Sequence, residues 1–100
     1  SDMNDATWHV MRELLIKKTN AGFLKWRKPS HQDQFTASLG KVEACVREDR
    51  FLLVDGEDGA TISERMLVNP ADREVFEVAR YDAMDADAEI DRALVFLSNL

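Results

Sequence analysis

Basic and aromatic residues are interleaved between positions 17 and 28, and this stretch has the residue types best suited to binding a partner. The cations are Lys17, Lys18, Lys25, Arg27 and Lys28, and the aromatic residues among them are Phe23 and Trp26. Cations beside aromatic rings can follow phosphates while the rings stack on bases. Tryptophan and arginine are also frequent in the hot spots of protein–protein interfaces. In a third interpretation, the rings close the edge of the core and the cations face water.

We prefer packing as the role of the two aromatic side chains, and we rank a protein above nucleic acid as a partner for this stretch. The chain carries 13 Lys and Arg against 19 Asp and Glu, and its net charge of −6 opposes phosphate binding. Another copy of the chain, in a homodimer, is an alternative protein partner. The candidate partner-binding residues are Lys18, Phe23, Lys25, Trp26, Arg27 and Lys28.

The soft metal ligands are few and scattered. His9, His31 and Cys45 lack the close paired spacing of a zinc site, so we expect no metal. The acidic loop from Asp55 to Gly59 lacks the ligand spacing of a calcium-binding EF-hand, and its composition predicts a turn. Cys45 is interpreted as a small strand residue rather than a nucleophile, because no Lys or His adjoins it in the sequence.

Acidic residues gather near the end of the chain. They are Asp82, Asp85, Asp87, Glu89 and Asp91. Paired carboxylates can act as acid and base, but these residues coincide with a predicted helix start, where capping and the helix dipole favour them. Glycine-rich phosphate loops and an evident Ser–His–Asp arrangement are absent from the sequence. We therefore predict no catalytic residue and no cofactor, and we lean against an enzyme.

The elements that must position these residues follow from periodicity. Trp8, Met11, Leu14 and Leu15 recur at helical spacing and predict a first helix over residues 5–21, which Gly22 ends. The stretch 4–7 that begins with Asn4 offers the candidate caps for its start. Alternating apolar residues then predict strands at 34–39, 42–47 and 60–67, with a turn at positions 40–41. The run 51–54 is apolar on both faces and predicts the most central strand.

Two further helices are predicted after the strands. Asn69-Pro70 is a cap followed by proline at the first helical position, which predicts a helix over 70–82. Asp85 is a candidate cap for a separate last helix. That helix is expected to bury Ile90, Ala93, Leu94, Leu97 and Leu100. The order predicts an α+β fold: an N-terminal helix, an antiparallel meander of about four strands, and two C-terminal helices packed on one face of the sheet.

Short strings along most of the chain resemble small uncharacterised bacterial α+β proteins. The resemblance rests on K-T-x-A-G-x-L-x-W at 18–26, F-x-A-x-L-G at 35–40 and E-x-A-R at 77–80. It implies a bacterial origin and the same order of elements. No activity is established for such proteins, so no functional residue is carried over.

The preferred hypothesis is a non-enzymatic protein-interaction or regulatory module, with residues 1–100 as a single domain. Ser1 and Asp2 are interpreted as a vector-derived remnant before Met3. The alternative is a small-molecule-binding domain or a small enzyme with a pocket between sheet and helices. A single cysteine and the lack of an apolar leader predict a cytoplasmic protein, and the short apolar runs predict no contact with a membrane.

Overall fold

A four-stranded sheet with one helix before it and one helix after it makes up the fold. The computed structural model describes residues 2–29 and 33–100, without the side chains of residues 86 and 87. The elements are α1 (Asp5–Asn20), β1 (Phe35–Leu39), β2 (Val42–Val46), β3 (Arg50–Asp55), β4 (Thr61–Met66) and α2 (Pro70–Ser98). The predicted α+β architecture is therefore confirmed, with the two predicted C-terminal helices joined into one.

The strands form an antiparallel meander in the order β1-β2-β3-β4. Gly40 turns the chain between β1 and β2 with a φ of 74°, a conformation that favours glycine. Phe35 lies opposite Val46, and Val46 lies opposite Phe51, so these three side chains share one face of the sheet. All three are buried there against the helices. β3 is an interior strand, but β2 is equally interior, so the prediction that the third strand is the most central one is not confirmed.

Each edge of the sheet is partly covered by a neighbouring segment. Arg27 and Thr36 exchange two backbone hydrogen bonds of 2.8 Å along β1. At the other edge, Asp2 bridges Glu64, and the Met3 amide donates to the Glu64 carbonyl at 3.2 Å. Backbone groups that are already paired cannot accept a strand from another molecule. Edge-to-edge association is therefore blocked at these positions.

Helix α1 begins at the predicted cap. The Asn4 side chain accepts a hydrogen bond from the Thr7 amide at 2.8 Å, which satisfies one of the amides left free in a first helical turn. Trp8, Leu15 and Thr19 are buried, whereas Leu14 is about half exposed. The predicted bounds are confirmed to within one residue, but the buried stripe is narrower than the predicted one.

The first half of α2 packs on the sheet. Asn69 caps it by accepting from the Asp72 amide at 2.9 Å, and Pro70 is the first helical residue. Val75, Ala79 and Ala83 are almost completely buried. These three residues recur every four positions, so one face of the helix lies against the core.

The second half of α2 does not pack as expected. A helix of 29 residues is about 43 Å long, whereas strands of five or six residues span roughly 17–20 Å. The sheet therefore ends before the helix does. The expected burial of Ile90, Ala93, Leu94, Leu97 and Leu100 is wrong. Ala93 is exposed, and the other four side chains are 57% to 87% exposed. We call residues 84–100 the C-terminal overhang.

No new helix starts at Asp85, which lies in the middle of α2. The segment 83–89 contains neither glycine nor proline and holds three alanines, the strongest helix former. A continuous helix keeps every internal backbone hydrogen bond that a break would lose. The expectation that Asp85 caps a separate helix, with acidic residues in its first turn, is therefore wrong.

Candidate interaction surfaces

Trp26 lies in the core rather than on the surface, with 1% of its area exposed. Its indole Nε1 donates to Thr19 Oγ1 at 2.9 Å, and the Thr19 hydroxyl donates onward to the Leu15 carbonyl at 2.6 Å. The Trp26 amide donates to Asp82 Oδ2 at 2.8 Å. Trp26 thus ties the connector after α1 to both helices. The preferred packing role matches this position, and the side chain is not accessible to a partner.

Phe23 has the opposite environment, with 80% of its area exposed. The Lys18 ammonium lies 5.6 Å from the centre of its ring, within the range of a cation–π interaction. The packing interpretation of Phe23 is therefore wrong. Lys25, Arg27 and Lys28 are also exposed. The connector therefore presents one aromatic ring and several cations to solvent, while its second aromatic residue holds it in place.

A groove of about 690 Å³ joins this basic connector to the base of the C-terminal overhang. It is lined by Lys25, Trp26, Arg27, Lys28, Glu89, Ile90 and Ala93. One wall therefore carries the cations of the connector, and the other carries the apolar Ile90 and Ala93 beside the carboxylate of Glu89. The sequence did not reveal this proximity, because about 60 residues separate the two walls.

The apolar face of the overhang continues the buried face of α2. At 100° per residue, Ile90, Leu94 and Leu97 point within about 60° of the direction of Ala79. Ala79 is fully buried, whereas Ile90, Leu94 and Leu97 are 58%, 57% and 63% exposed. One face of α2 therefore remains apolar beyond the point where the sheet stops covering it. Periodicity revealed this face in the sequence, but not its exposure.

Charge is distributed unevenly along the overhang. Asp85, Glu89 and Asp91 lie in its first half, whereas residues 93–100 include no charged side chain. The last turn of α2 contains no basic residue. The partial negative charge of the helix C-terminus is therefore not compensated by a cation in that turn.

A buried polar cluster joins α1 to α2 at the other end of the molecule. Asp72 is 2% exposed and accepts hydrogen bonds from Trp8 Nε1 at 2.8 Å and from Arg12 at 2.9 Å. Burial alone raises the pKa of the Asp72 carboxyl. That pKa is nevertheless lowered overall, because the effect of burial is smaller than the combined effect of the hydrogen bonds from Trp8, Arg12 and the Val68 backbone and of the Arg12 charge. The carboxylate is used for structure and does not face a groove.

Cys45 and the acidic loop also have structural roles. Burial, assisted by the nearby Glu43, raises the pKa of the Cys45 thiol, although Arg47 acts in the opposite direction. A protonated buried thiol is a poor nucleophile. In the loop, the Asp55 carboxylate accepts from the amides two and three residues later, at 2.8 and 3.3 Å, which is the chemistry of a turn.

Metal ligation and membrane insertion find no support in the described part of the chain. Across residues 2–29 and 33–100, no three or more His, Cys, Asp or Glu side chains are grouped so that they could hold a metal ion. His31, one of the three soft ligands considered above, lies outside those residues, as does Ser1. Neither helix in the same ranges is both long enough and apolar enough to cross a bilayer.

Comparison with known proteins assigns the chain to no family. No protein-family model matches the chain, and no curated protein or solved structure is significantly similar to it. The functional argument therefore rests on the geometry above.

Proposed function

We propose that this protein is a non-enzymatic protein-interaction module and that the apolar face of the C-terminal overhang is its binding surface. One observation supports the proposal most directly. The face that is buried at Val75, Ala79 and Ala83 continues as exposed Ile90, Leu94 and Leu97. Contiguous exposed apolar surface of this kind typically marks an interaction site. An amphipathic helix that lays its apolar face against a partner is a common recognition mode.

Covering this face can supply a substantial part of the energy of a specific contact. Covering a leucine or isoleucine contributes about 1.5–3 kcal/mol. Because Ile90, Leu94 and Leu97 are already more than half exposed, a partner that covers all three gains roughly 3–5 kcal/mol from them. Val95 and Phe96 lie on other sides of the helix and extend the apolar surface around the last turns.

The basic connector provides a polar rim for the same surface. Lys25, Arg27 and Lys28 line the groove at the base of the overhang, and interfaces commonly surround an apolar centre with polar groups. We include Lys18 and Phe23 in the proposed binding surface because both are exposed beside this rim. Trp26 serves the surface indirectly, by fixing the connector to α1 and α2.

A cytoplasmic, bacterial and regulatory role belongs to the same proposal. The single cysteine supports the compartment, because it has no partner for an internal disulfide. The resemblance to small bacterial proteins supports the origin. A regulatory role is the simplest use of a small domain whose described side chains form no recognised catalytic arrangement.

Small-molecule binding is the rival function, and the groove of about 690 Å³ favours it because ligand sites commonly enclose roughly 300–1,000 Å³. The two functions differ in which position contacts another protein chain. A partner protein must cover the distal Leu97, whereas a ligand in the groove does not reach that residue, which is absent from the groove lining.

The experiment is site-specific photo-crosslinking in the cell that naturally makes the protein. A photoreactive phenylalanine analogue replaces Ile90, Leu94 or Leu97 in three separate variants. A matched control carries it at Val95, which is about as exposed as Leu97 but points to the opposite side of α2. We expect a protein adduct from position 97 and little from position 95. Absence of protein adducts from positions 90, 94 and 97 would contradict the proposed function, and equal adducts from 95 and 97 would contradict the proposed face.

A further inference from the structure

We propose that the partner of the C-terminal overhang is a second copy of this chain. The overhangs of two copies pair antiparallel, with their apolar faces together, about a two-fold axis that passes between positions 93 and 94. This inference rests on the proposed function and names the partner of that surface. Antiparallel pairing places Ile90 of each copy opposite Leu97 of the other.

The exposed face is complementary to itself. A two-fold contact requires one surface to serve both copies, so its two ends must match each other. Ile90 and Leu97 are similar in size and 58% and 63% exposed, and they lie at equal distances from the proposed axis. Ala93, a small residue, lies at the centre, where small side chains let two helices approach closely.

The distribution of charge along the overhang favours antiparallel pairing of the two copies. A parallel pair would bring Asp85, Glu89 and Asp91 of one copy beside the same carboxylates of the other. An antiparallel pair instead places each acidic half beside residues 93–100 of the second copy, which carry no charge. Like charges held close together across an interface are disfavoured, and the cation Arg92 offsets only part of this negative charge, so the antiparallel arrangement is favoured.

The groove at the base of the overhang is complementary to the end of the helix in the second copy. Glu89, Ile90 and Ala93 form one wall of that groove. In the antiparallel pair these positions face residues 98, 97 and 94 of the second copy, so the end of the second helix enters the groove. Its last turn lacks a basic residue. The cations of the connector can therefore compensate the negative end of the neighbouring helix.

The expected affinity follows from the size of the contact. An overhang of about 15 helical residues is roughly 22 Å long. Specific interfaces commonly bury about 1,200–2,000 Å² in total, and weak ones bury less. From their length, we expect two overhangs with their grooves to bury about 1,200 Å² or less in total, the size of a weak interface. We therefore expect a dissociation constant on the order of 1–100 µM, so that dimerisation depends on concentration.

Sedimentation equilibrium of the full chain from about 5 to 500 µM tests the dimer. The expected mass rises toward twice the 11.4 kDa of one chain. Leu97→Gln should weaken dimerisation roughly tenfold or more, because the two-fold axis places the change in the interface twice. The matched Val95→Gln variant should stay within about threefold of the parent. Circular dichroism of both variants verifies that the helices remain folded.

Two outcomes separate this inference from the proposed function. In the first outcome, the parent protein stays monomeric over the whole range while position 97 crosslinks to a different protein. This result would contradict the proposal that the partner is a second copy, but it would agree with the proposed protein-interaction function. A monomeric parent without protein adducts from positions 90, 94 and 97 overturns both. A dimer that Leu97→Gln and Val95→Gln weaken equally overturns the proposed face.

Disulfide trapping tests the direction. Chains with Ile90→Cys and chains with Leu97→Cys, both in a Cys45→Ala background, are mixed and oxidised with oxidised glutathione. With equal amounts of the two chains, antiparallel pairing predicts that mixed disulfides between positions 90 and 97 clearly exceed the sum of the two like-with-like products, which random pairing would only equal. A predominance of 90–90 and 97–97 products would overturn the antiparallel arrangement.

Discussion

The indole of Trp8 donates a hydrogen bond of 2.8 Å to the carboxylate of Asp72, although 64 positions separate the two residues in the chain. This contact fastens the start of α2 to α1. Arg12 donates to the same oxygen at 2.9 Å, and Asn69 accepts from the Asp72 amide at 2.9 Å. One buried carboxylate therefore holds the first turn of α2 against α1.

Asp72→Asn is expected to lower the free energy of unfolding by about 2–3 kcal/mol. The substitution leaves the mostly buried Arg12 guanidinium without its counter-charge and replaces an oxygen acceptor by an amide donor. Urea unfolding followed by the fluorescence of the buried tryptophans measures the change. Glu77→Gln is the control, because its ion pair with Arg80 is exposed and should contribute at most about 0.5 kcal/mol. Equal effects of the two substitutions would contradict the account.

The effect of Asp72 on stability should depend on pH. Because the pKa of the folded carboxyl lies below its unfolded value of about 3.9, the unfolded state binds more protons between the two values. The stability from Asp72 is therefore present above the unfolded pKa and is lost as pH falls through the folded pKa. Unfolding of the parent and Asp72→Asn from about pH 6 to pH 2 should show a difference that narrows only below about pH 4. A constant difference would contradict the lowered pKa.

Thr19 and Trp26 should be energetically coupled. Thr19→Val removes the acceptor of the buried Trp26 Nε1 and is expected to cost about 1–3 kcal/mol, because the indole donor is left without a partner. In a Trp26→Phe background that donor no longer exists, so the same substitution should cost roughly 1 kcal/mol less. Denaturant unfolding of the two single variants and the double variant gives the coupling energy. Additive costs would show that the hydrogen bond contributes nothing.

Phe23 and Trp26 should differ sharply in their importance for folding. Trp26→Ala is expected to lower the free energy of unfolding by about 3–5 kcal/mol, because it opens a cavity in the core. Phe23→Ala should cost less than about 1 kcal/mol, since it removes only an exposed contact with Lys18. Thermal or urea unfolding distinguishes the two. Similar losses would mean that Phe23 packs into the core after all.

Local signals in the sequence predicted most of the elements. Asn4 and Asn69 cap α1 and α2 as expected, because a cap depends on the few residues beside it. Alternation predicted the four strands for a similar reason, since the side-chain period of a strand is two wherever one face is buried. The single Gly40 turn then required the antiparallel pairing of β1 and β2.

Features that depend on distant contacts escaped prediction. The hydrogen bond from the Trp26 amide to Asp82 could not be predicted, because Asp82 lies 56 positions away. Asp85 has the residue type of a cap, yet the helix continues through it because the adjoining segment favours helix. Helical spacing identified the apolar face that includes Leu97. Whether that face is buried depends on the length of the sheet relative to the helix. A local sequence pattern does not contain this information.

Leu15 and Leu97 provide the most direct test that the overhang is a binding surface rather than part of the core. Both are leucines on apolar helix faces, but Leu15 is 3% exposed and Leu97 is 63% exposed. At about 0.1 µM, well below the expected dissociation constant of the dimer, Leu97→Gln should change the free energy of unfolding by no more than about 0.5 kcal/mol, and Leu15→Gln should lower it by about 2–5 kcal/mol. A loss of several kcal/mol for Leu97→Gln at that dilution would place Leu97 in the core and contradict the account.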